Sequence, residues 1–355
     1  MKKSSDAKIA IITVAEPVRE EEYLMGKHLI AKYGADKVVH AILPTNFIAE
    51  KEQFINMTAA LAADNEIKIL VIPHAVPGTN LAIDKFRKTR DDVFIILGRI
   101  QEPASECAER ANLIIQSNNY DMGPPIVKQA KKQGAKVFVH YSFPRHMSIP
   151  VVSGRFDLIR QNCQDEGLQF VDASVPDPTG EAGIDSAQRF IINDVQEMVR
   201  KYGNDTAFFC TNCHLQEPLI KAVVENHAIY PQPCCPSPFH GFPKALGIET
   251  TDFDLHHLIS EASRIAEEKG MSDRLSSWPV SDTMLIANAG IEYAKKWLDA
   301  EVPKTGIDNA VLMECMDEYI TEAVGEESHI YMNSYKEGGI SYDNFKNILM
   351  SYLDF

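Results

Sequence analysis

Residues 67–98 read IKILVIPHAVPGTNLAIDKFRKTRDDVFIILG. Ile67–Pro73 is a short, β-branched apolar run, Asn80–Arg90 has helical spacing, and Val93–Leu97 is a second apolar run. A strand, a helix and a strand at this spacing form the unit of a parallel sheet joined by a right-handed crossover. The strands are continuously apolar rather than alternating, as expected where helices cover both sheet faces.

The same alternation extends in both directions. Before this stretch lie a strand at Lys8–Val14, a helix at Glu20–Tyr33 closed by Gly34, a strand at Lys37–Leu43 and a helix at Glu50–Ala63. After it come strands at Asn112–Gln116, Lys136–Tyr141, Leu168–Ala173 and Thr206–Cys210, with helices at Pro124–Gln133, Gly154–Glu166, Ile184–Tyr202 and Gln216–His227. Gly just past several helices supplies a left-handed cap. The series is too long for one sheet, and the polar run Ser117-Asn118-Asn119-Tyr120 divides it. The expected fold is therefore α/β, with two Rossmann-like lobes and mostly parallel sheets. Lobe 1 is read as 7–119 plus 282–303 and lobe 2 as 120–281. A strand-like segment at Ser276–Val280 precedes a helix at Thr283–Leu298. The amphipathic stretches Asn309–Val324 and Asn344–Leu353 make 304–355 a helical C-terminal extension.

Composition narrows the function classes. In 355 residues, 45% hydrophobic and 24% charged side chains describe a globular chain of two ordinary domains. A net charge of −15, with no Lys/Arg stripe or helix-turn-helix, argues against nucleic acid as a partner. No apolar run reaches the roughly 20 residues of a membrane helix. Met1–Ser5 is basic but no apolar core follows, so the sequence as written reads as cytoplasmic; a removed leader would make it an extracytoplasmic, lipoprotein-type protein. Seven cysteines, with Cys234 and Cys235 adjacent, make a poor disulfide framework. After Val14 comes Ala-Glu-Pro-Val-Arg, so neither the dinucleotide fingerprint nor the P-loop is present and no cofactor is expected.

The order of elements resembles the type 1 periplasmic-binding-protein fold, shared by sugar-binding proteins and the ligand domains of LacI-like repressors. Thr206–Val224 looks like the strand–Asn–helix segment of those proteins, with Cys213 standing where they usually have Asp; that departure argues against a sugar-type contact. Val76-Pro77-Gly78-Thr79, Phe138–Met147, Pro176-Asp177-Pro178-Thr179-Gly180 and Cys234-Cys235-Pro236-Ser237-Pro238 resemble the bacterial domain-of-unknown-function 3798 family. That resemblance spans Lys8 to Leu298 and implies the fold and a ligand-binding role, with no assigned ligand or catalytic residue.

In open parallel sheets ligands bind beyond the carboxyl ends of the strands. Those ends carry Glu16, Asn46, His74, Thr79, Arg99, Asn118, Tyr141, Arg145, Asn212, His214, Gln216, Ser237 and His240, with Trp278 near the presumed hinge. Amides, hydroxyls and flat rings suit a small polar ligand, and the forks of Arg99 and Arg145 favour negative charge on it. The expectation is non-catalytic capture or sensing in the interlobe cleft, with a membrane transporter or sensor as partner. The alternatives are a cytosolic enzyme using strand-end His or Cys residues and a ligand-sensing regulator without its own DNA-binding domain. No nucleophile elbow or HExxH motif supports catalysis. Cys210, Cys213, Cys234 and Cys235 are the candidates for a metal, but Cys210 should face the sheet while Cys213 starts a helix, and no second CxxC exists. The reading therefore assigns no metal.

Overall fold

The computed structural model describes residues 3–16, 20–250, 253–325 and 328–355. The chain divides into two compact units, Met1–Ser117 with Asp282–Leu349, and Asn118–Ser281 with Met350–Phe355.

The first unit is built on a seven-stranded sheet. Its chain order is β1 (Lys8–Thr13), α1 (Glu20–Tyr33), β2 (Val38–Ile42), α2 (Lys51–Ala60), β3 (Ile67–Ile72), α3 (Thr79–Arg87), β4 (Phe94–Gly98), α4 (Ala104–Arg110) and β5 (Leu113–Ser117). Strands β2, β1, β3, β4 and β5 lie side by side and run parallel. The apolar runs are buried as wholes: every residue of β4, and Ile9–Thr13 of β1, is buried. A cluster from Ile12, Ile72, Phe86, Leu97 and Phe345 fills one part of this core. Helix α12 (Asp282–Leu298) packs on β3, β4 and β5. Its approach requires small residues: a Cβ on Gly98 would collide with Ile286 Cδ1 and stand 2.7 Å from the Pro73 carbonyl, and one on Gly290 would press Ile96 at 3.2 Å.

The second unit carries α5 (Gly123–Lys132), β6 (Val137–Ser142), α6 (Pro144–Met147), α7 (Pro150–Asp165), β7 (Gln169–Ser174), α8 (Gly183–Tyr202), β8 (Thr206–Cys210), α9 (Gln216–Glu225), α10 (Phe242–Leu246) and α11 (Leu255–Glu268). Strands β7, β6 and β8 form a parallel sheet with β6 at its centre. Isolated parallel bridges Ala207–Ile229 and Tyr230–Leu275 extend the pairing past β8. Val139, Tyr141, Phe208, Leu219 and Tyr230 centre the core. The strand expected at Ser276–Val280 is only β9 (Ser276–Ser277). On the other side of β6, His140 is fully buried among Phe156, Phe170 and Phe209, and neither ring nitrogen has a hydrogen-bond partner among the described residues. Burial, aided by the Arg155 charge, pushes its pKa down to about 3.

The tail corrects the sequence reading. Asn309–Val324 is the expected helix, α13, capped by Asp308. Asn344–Leu353, read as a helix, belongs instead to β11 (Ile340–Met350), which follows β10 (Ile330–Glu337) and precedes β12 (Leu353–Asp354). Gly338 and Gly339, at φ 57 and 83, make the two-residue turn that joins β10 to β11. β11 lies parallel against β5, with Phe345 opposite Ile114 and Ile348 opposite Ser117. The edge of β5 offers unpaired backbone groups, and pairing with them outweighs the weak helical periodicity of the segment. Nor is the tail an appendage: it supplies two strands to the first unit, and β12 pairs antiparallel with β9 in the second. Phe355 ends the chain edge-on to Phe242.

Candidate functional site

The chain steps from β1 outward to β2, then returns to the other side of β1 as β3. That reversal is the topological switch point, where crossovers diverge and leave room at the strand ends. Glu22, from the first turn of α1, is buried there and accepts the Val14 backbone N–H through Oε1 at 3.0 Å. Its Oε2 stands 3.6 Å from His74 Nδ1, and neither atom has a hydrogen-bond partner among the described residues. Gln101 Nε2 lies 2.8 Å from His74 Nε2. An amide nitrogen only donates, so His74 Nε2 accepts and the ring proton sits on Nδ1, facing Glu22.

Arg99, Thr79 and Asn46 are each engaged within the first unit. Arg99, at a left-handed φ of 40, directs Nε and Nη2 to Asp282 Oδ1, and Ser117 donates to Asp282 Oδ2 at 2.7 Å. Thr79 is buried and donates to the Val76 carbonyl at 2.7 Å. Asn46 accepts the Ala49 N–H in a turn, and Glu16 is exposed in the turn after β1.

In the second unit, Ser142 and Thr211 hydroxyls lie 3.2 Å apart at the ends of β6 and β8, and His146 Nδ1 lies 3.0 Å from Thr211. Arg145 forks onto both oxygens of Asp177 and reaches the Thr179 hydroxyl at 2.9 Å. Tyr141 lies in the core with its hydroxyl donating to Asp194 at 2.7 Å, and Trp278 is buried. Asn118 bonds Asp121, and Ser237 is buried with its hydroxyl accepting the Phe239 N–H. Asn212 caps the following turn by accepting the His214 N–H at 2.9 Å; the His214 residue itself is exposed.

Beside that turn Cys213, Cys234, Cys235 and His240 bring one ligand atom each within 4.8 Å of one another. The Cys213 sulfur is 3.5 Å from that of Cys234 and 3.9 Å from that of Cys235. Cys210 is not among them: it is fully buried in the core cluster, as its strand position required. Gln216 holds the arrangement. It donates to the carbonyls of Cys210 and Asn212 and accepts from the Tyr230 hydroxyl and, at 3.4 Å, from the Cys234 N–H. Gly241, at φ 87, lets the His240 turn close on α9, since a Cβ there would stand 3.1 Å from Gln216 Cβ. Hydrogen bonding to Cys213 and Cys235, with burial, pushes the Cys234 thiol well up. Burial works to lower His240, yet the Cys213 and Cys235 sulfurs hold it well above its ordinary value. Burial also lowers the Arg155 guanidinium, opposed by the sulfurs of Cys234, Cys235 and Cys213.

Sequence reasoning missed Glu22, Gln101 and Asp282, which sit on helices or one loop beyond the strand ends, and Arg155, an ordinary-looking helical cation. Asp282 at the head of α12 was the one with a visible signal, an acid at a helix start.

This architecture has a recognisable fold, that of the type 1 periplasmic binding proteins. Over 85% of this chain and 86% of its own, it matches a sugar ABC transporter protein from Actinomyces odontolyticus, with a TM-score of 0.54 at 12% identity. A "Putative transcriptional regulator" from Clostridium difficile 630 is more similar, with a TM-score of 0.84, 21% identity and 99% of both chains covered. Residues 7–276 match the family described as "Protein of unknown function (DUF3798)", and the chain belongs to that family. An "Uncharacterized protein" of Treponema pallidum (strain Nichols) is 34% identical over 166 residues, which are 47% of this chain and 77% of that protein. No helix among the described residues is long and apolar enough to cross a membrane.

Proposed function

We propose that this protein binds a small polar solute without transforming it, at the carboxyl ends of its parallel strands. The observation that carries the reading is the Glu22–His74 pair at the switch point, a buried carboxylate oxygen and an imidazole N–H without a hydrogen-bond partner among the described residues. A buried acceptor and donor left open cost free energy unless something bonds them, and a solute hydroxyl or amide offers both complements. The anionic ligand favoured by the arginines loses its support, because Arg99 and Arg145 already carry the carboxylates of Asp282 and Asp177. A neutral, hydroxyl- or amide-rich solute fits better. The fold shared with a sugar ABC transporter protein supports an extracytoplasmic setting and a membrane transporter as partner.

The test is thermal denaturation of the full chain with sugars, polyols and nucleosides in one arm and carboxylates and phosphates in the other. A solute binding only the folded state adds about 2.7 kcal/mol at one hundred times its Kd. The expected outcome is saturable stabilisation by a neutral solute, recovered unchanged, and lost in His74→Ala. Stabilisation by anions alone, or conversion of the solute, would overturn the reading.

A further inference from the structure

We propose that Cys213, Cys234, Cys235 and His240 form a Cys3His site for one zinc-class cation in the second unit. A tetrahedral site with bonds of about 2.3 Å to sulfur has edges of roughly 3.8 Å between donors. The sulfur separations of 3.5 and 3.9 Å from Cys213 bracket that value. Side chains merely packed against one another have no reason to place four donor atoms within 4.8 Å of one another.

The donor set selects the metal class. Three sulfurs and an imidazole suit Zn2+, whereas Mg2+ and Ca2+ take oxygen ligands that this cluster does not supply. The imidazole is oriented for the task. Its Nδ1 lies 3.0 Å from the Cys235 carbonyl, which holds the proton on Nδ1 and leaves the Nε2 lone pair for coordination. Gln216 ties the Cys213 turn to the Cys234 backbone, so donors distant in sequence are held together before any cation arrives. Charge also fits. Three thiolates around a dication leave one net negative charge, and the buried Arg155 guanidinium lies within electrostatic reach of all three sulfurs. Four protein donors leave no open position, so the site holds a cation rather than activating a water. The exposure of Cys213 gives the cation a route in from solvent.

The experiment uses full-length protein prepared under reductant, stripped with a chelator and titrated with Zn2+ alone, then with Co2+ as a spectroscopic probe. We expect one Zn2+ per chain, thiolate-to-cobalt charge-transfer absorption, and protection of Cys213 and Cys235 from alkylation by Zn2+ in the wild-type chain. Cys213→Ser and Cys234→Ser should each weaken Zn2+ by at least about 100-fold, more than loss of an outer-shell partner. Cys107→Ala, in the other unit, should leave binding unchanged. The proposal is overturned by the absence of stoichiometric Zn2+, by unprotected alkylation, by retention of the metal in the Cys213→Ser/Cys234→Ser double variant, or by a Cys213–Cys234 disulfide in protein prepared with Zn2+. Alkylation protection needs no variant, so a misfolded mutant does not decide the matter. Zn2+ binding does not depend on the polar solute, so either reading can fail alone.

Discussion

Two arginines that look alike in the sequence, each following a parallel strand, meet opposite circumstances. Arg99 in the first unit is 16% exposed and its partner Asp282 only 4%, with the Ser117 hydroxyl and the Thr283 N–H also donating to the carboxylate. Arg145 in the second unit is 50% exposed and its partner Asp177 23%, on a turn that also offers Thr179. The first pair is a buried tie between β4, β5 and α12. The second is a clasp on the surface, screened by water and salt. Two arginines that each follow a parallel strand thus do different work, because the elements packed over them differ.

The comparison breaks most easily at Asp282. Asp282→Ala strands the Arg99 guanidinium and the Ser117 hydroxyl, and should cost about 3–5 kcal/mol in urea denaturation. A loss no larger than that of a surface pair would refute the contrast. His140 gives the next effect, in the unit whose arginine pair is superficial. Its folded pKa, about 3, lies below the ordinary 6.5, so the unfolded chain binds the extra proton between those values. Its stability contribution is complete above about pH 6.5 and is lost as pH falls toward about 3. His140→Leu removes this penalty and should be more stable than wild type by about 3 kcal/mol at pH 4. Equal acid sensitivity of the two proteins would sink the assignment.

Gly241→Ala should cost about 1–2 kcal/mol, since its left-handed backbone resists a Cβ, and should weaken Zn2+ by displacing His240. Retained stability with unchanged Zn2+ affinity would show that the turn does not depend on glycine. The smallest effect belongs to Asp177→Ala, whose denaturation midpoint in 0.5 M salt should match wild type. A clear loss there would place Arg145–Asp177 in the same class as Arg99–Asp282. Asp177 itself is held well below the usual carboxylate range by the Arg145 fork.

Much of the fold was legible because apolar runs such as Ile67–Ile72 and Phe94–Gly98 are buried on both sheet faces and leave little choice of structure. The failure at Asn344–Leu353 came where no local preference decides: Tyr342, Phe345 and Ile348 serve a strand only because β5 presents an open edge. The candidate site was legible by address but not by role. His74, Arg99, Arg145 and Asn212 do stand at strand ends or in the adjoining turns, whereas His240 lies in the loop that leads into α10. Asn212 is nevertheless buried, as are Tyr141, Thr79, Gln216 and Trp278. A strand alternates its side chains between faces, and the step past its end depends on a turn whose direction the neighbours set.

The cysteines show the division most sharply. The spacing of Cys210 and Cys213 suggested a pair, and strand geometry separated them, one into the core and one onto a turn. The partners that Cys213 found, Cys234, Cys235 and His240, come from a later loop folded back across α9, with Gln216 and Gly241 setting the closeness. By itself the sequence determined the parallel α/β architecture, since continuous burial and helix caps are local, additive signals. Which side chains face one another across a strand end was decided only by the tertiary structure, because hydrogen-bond partners and sulfur–sulfur distances depend on loops whose paths are set by what they pack against.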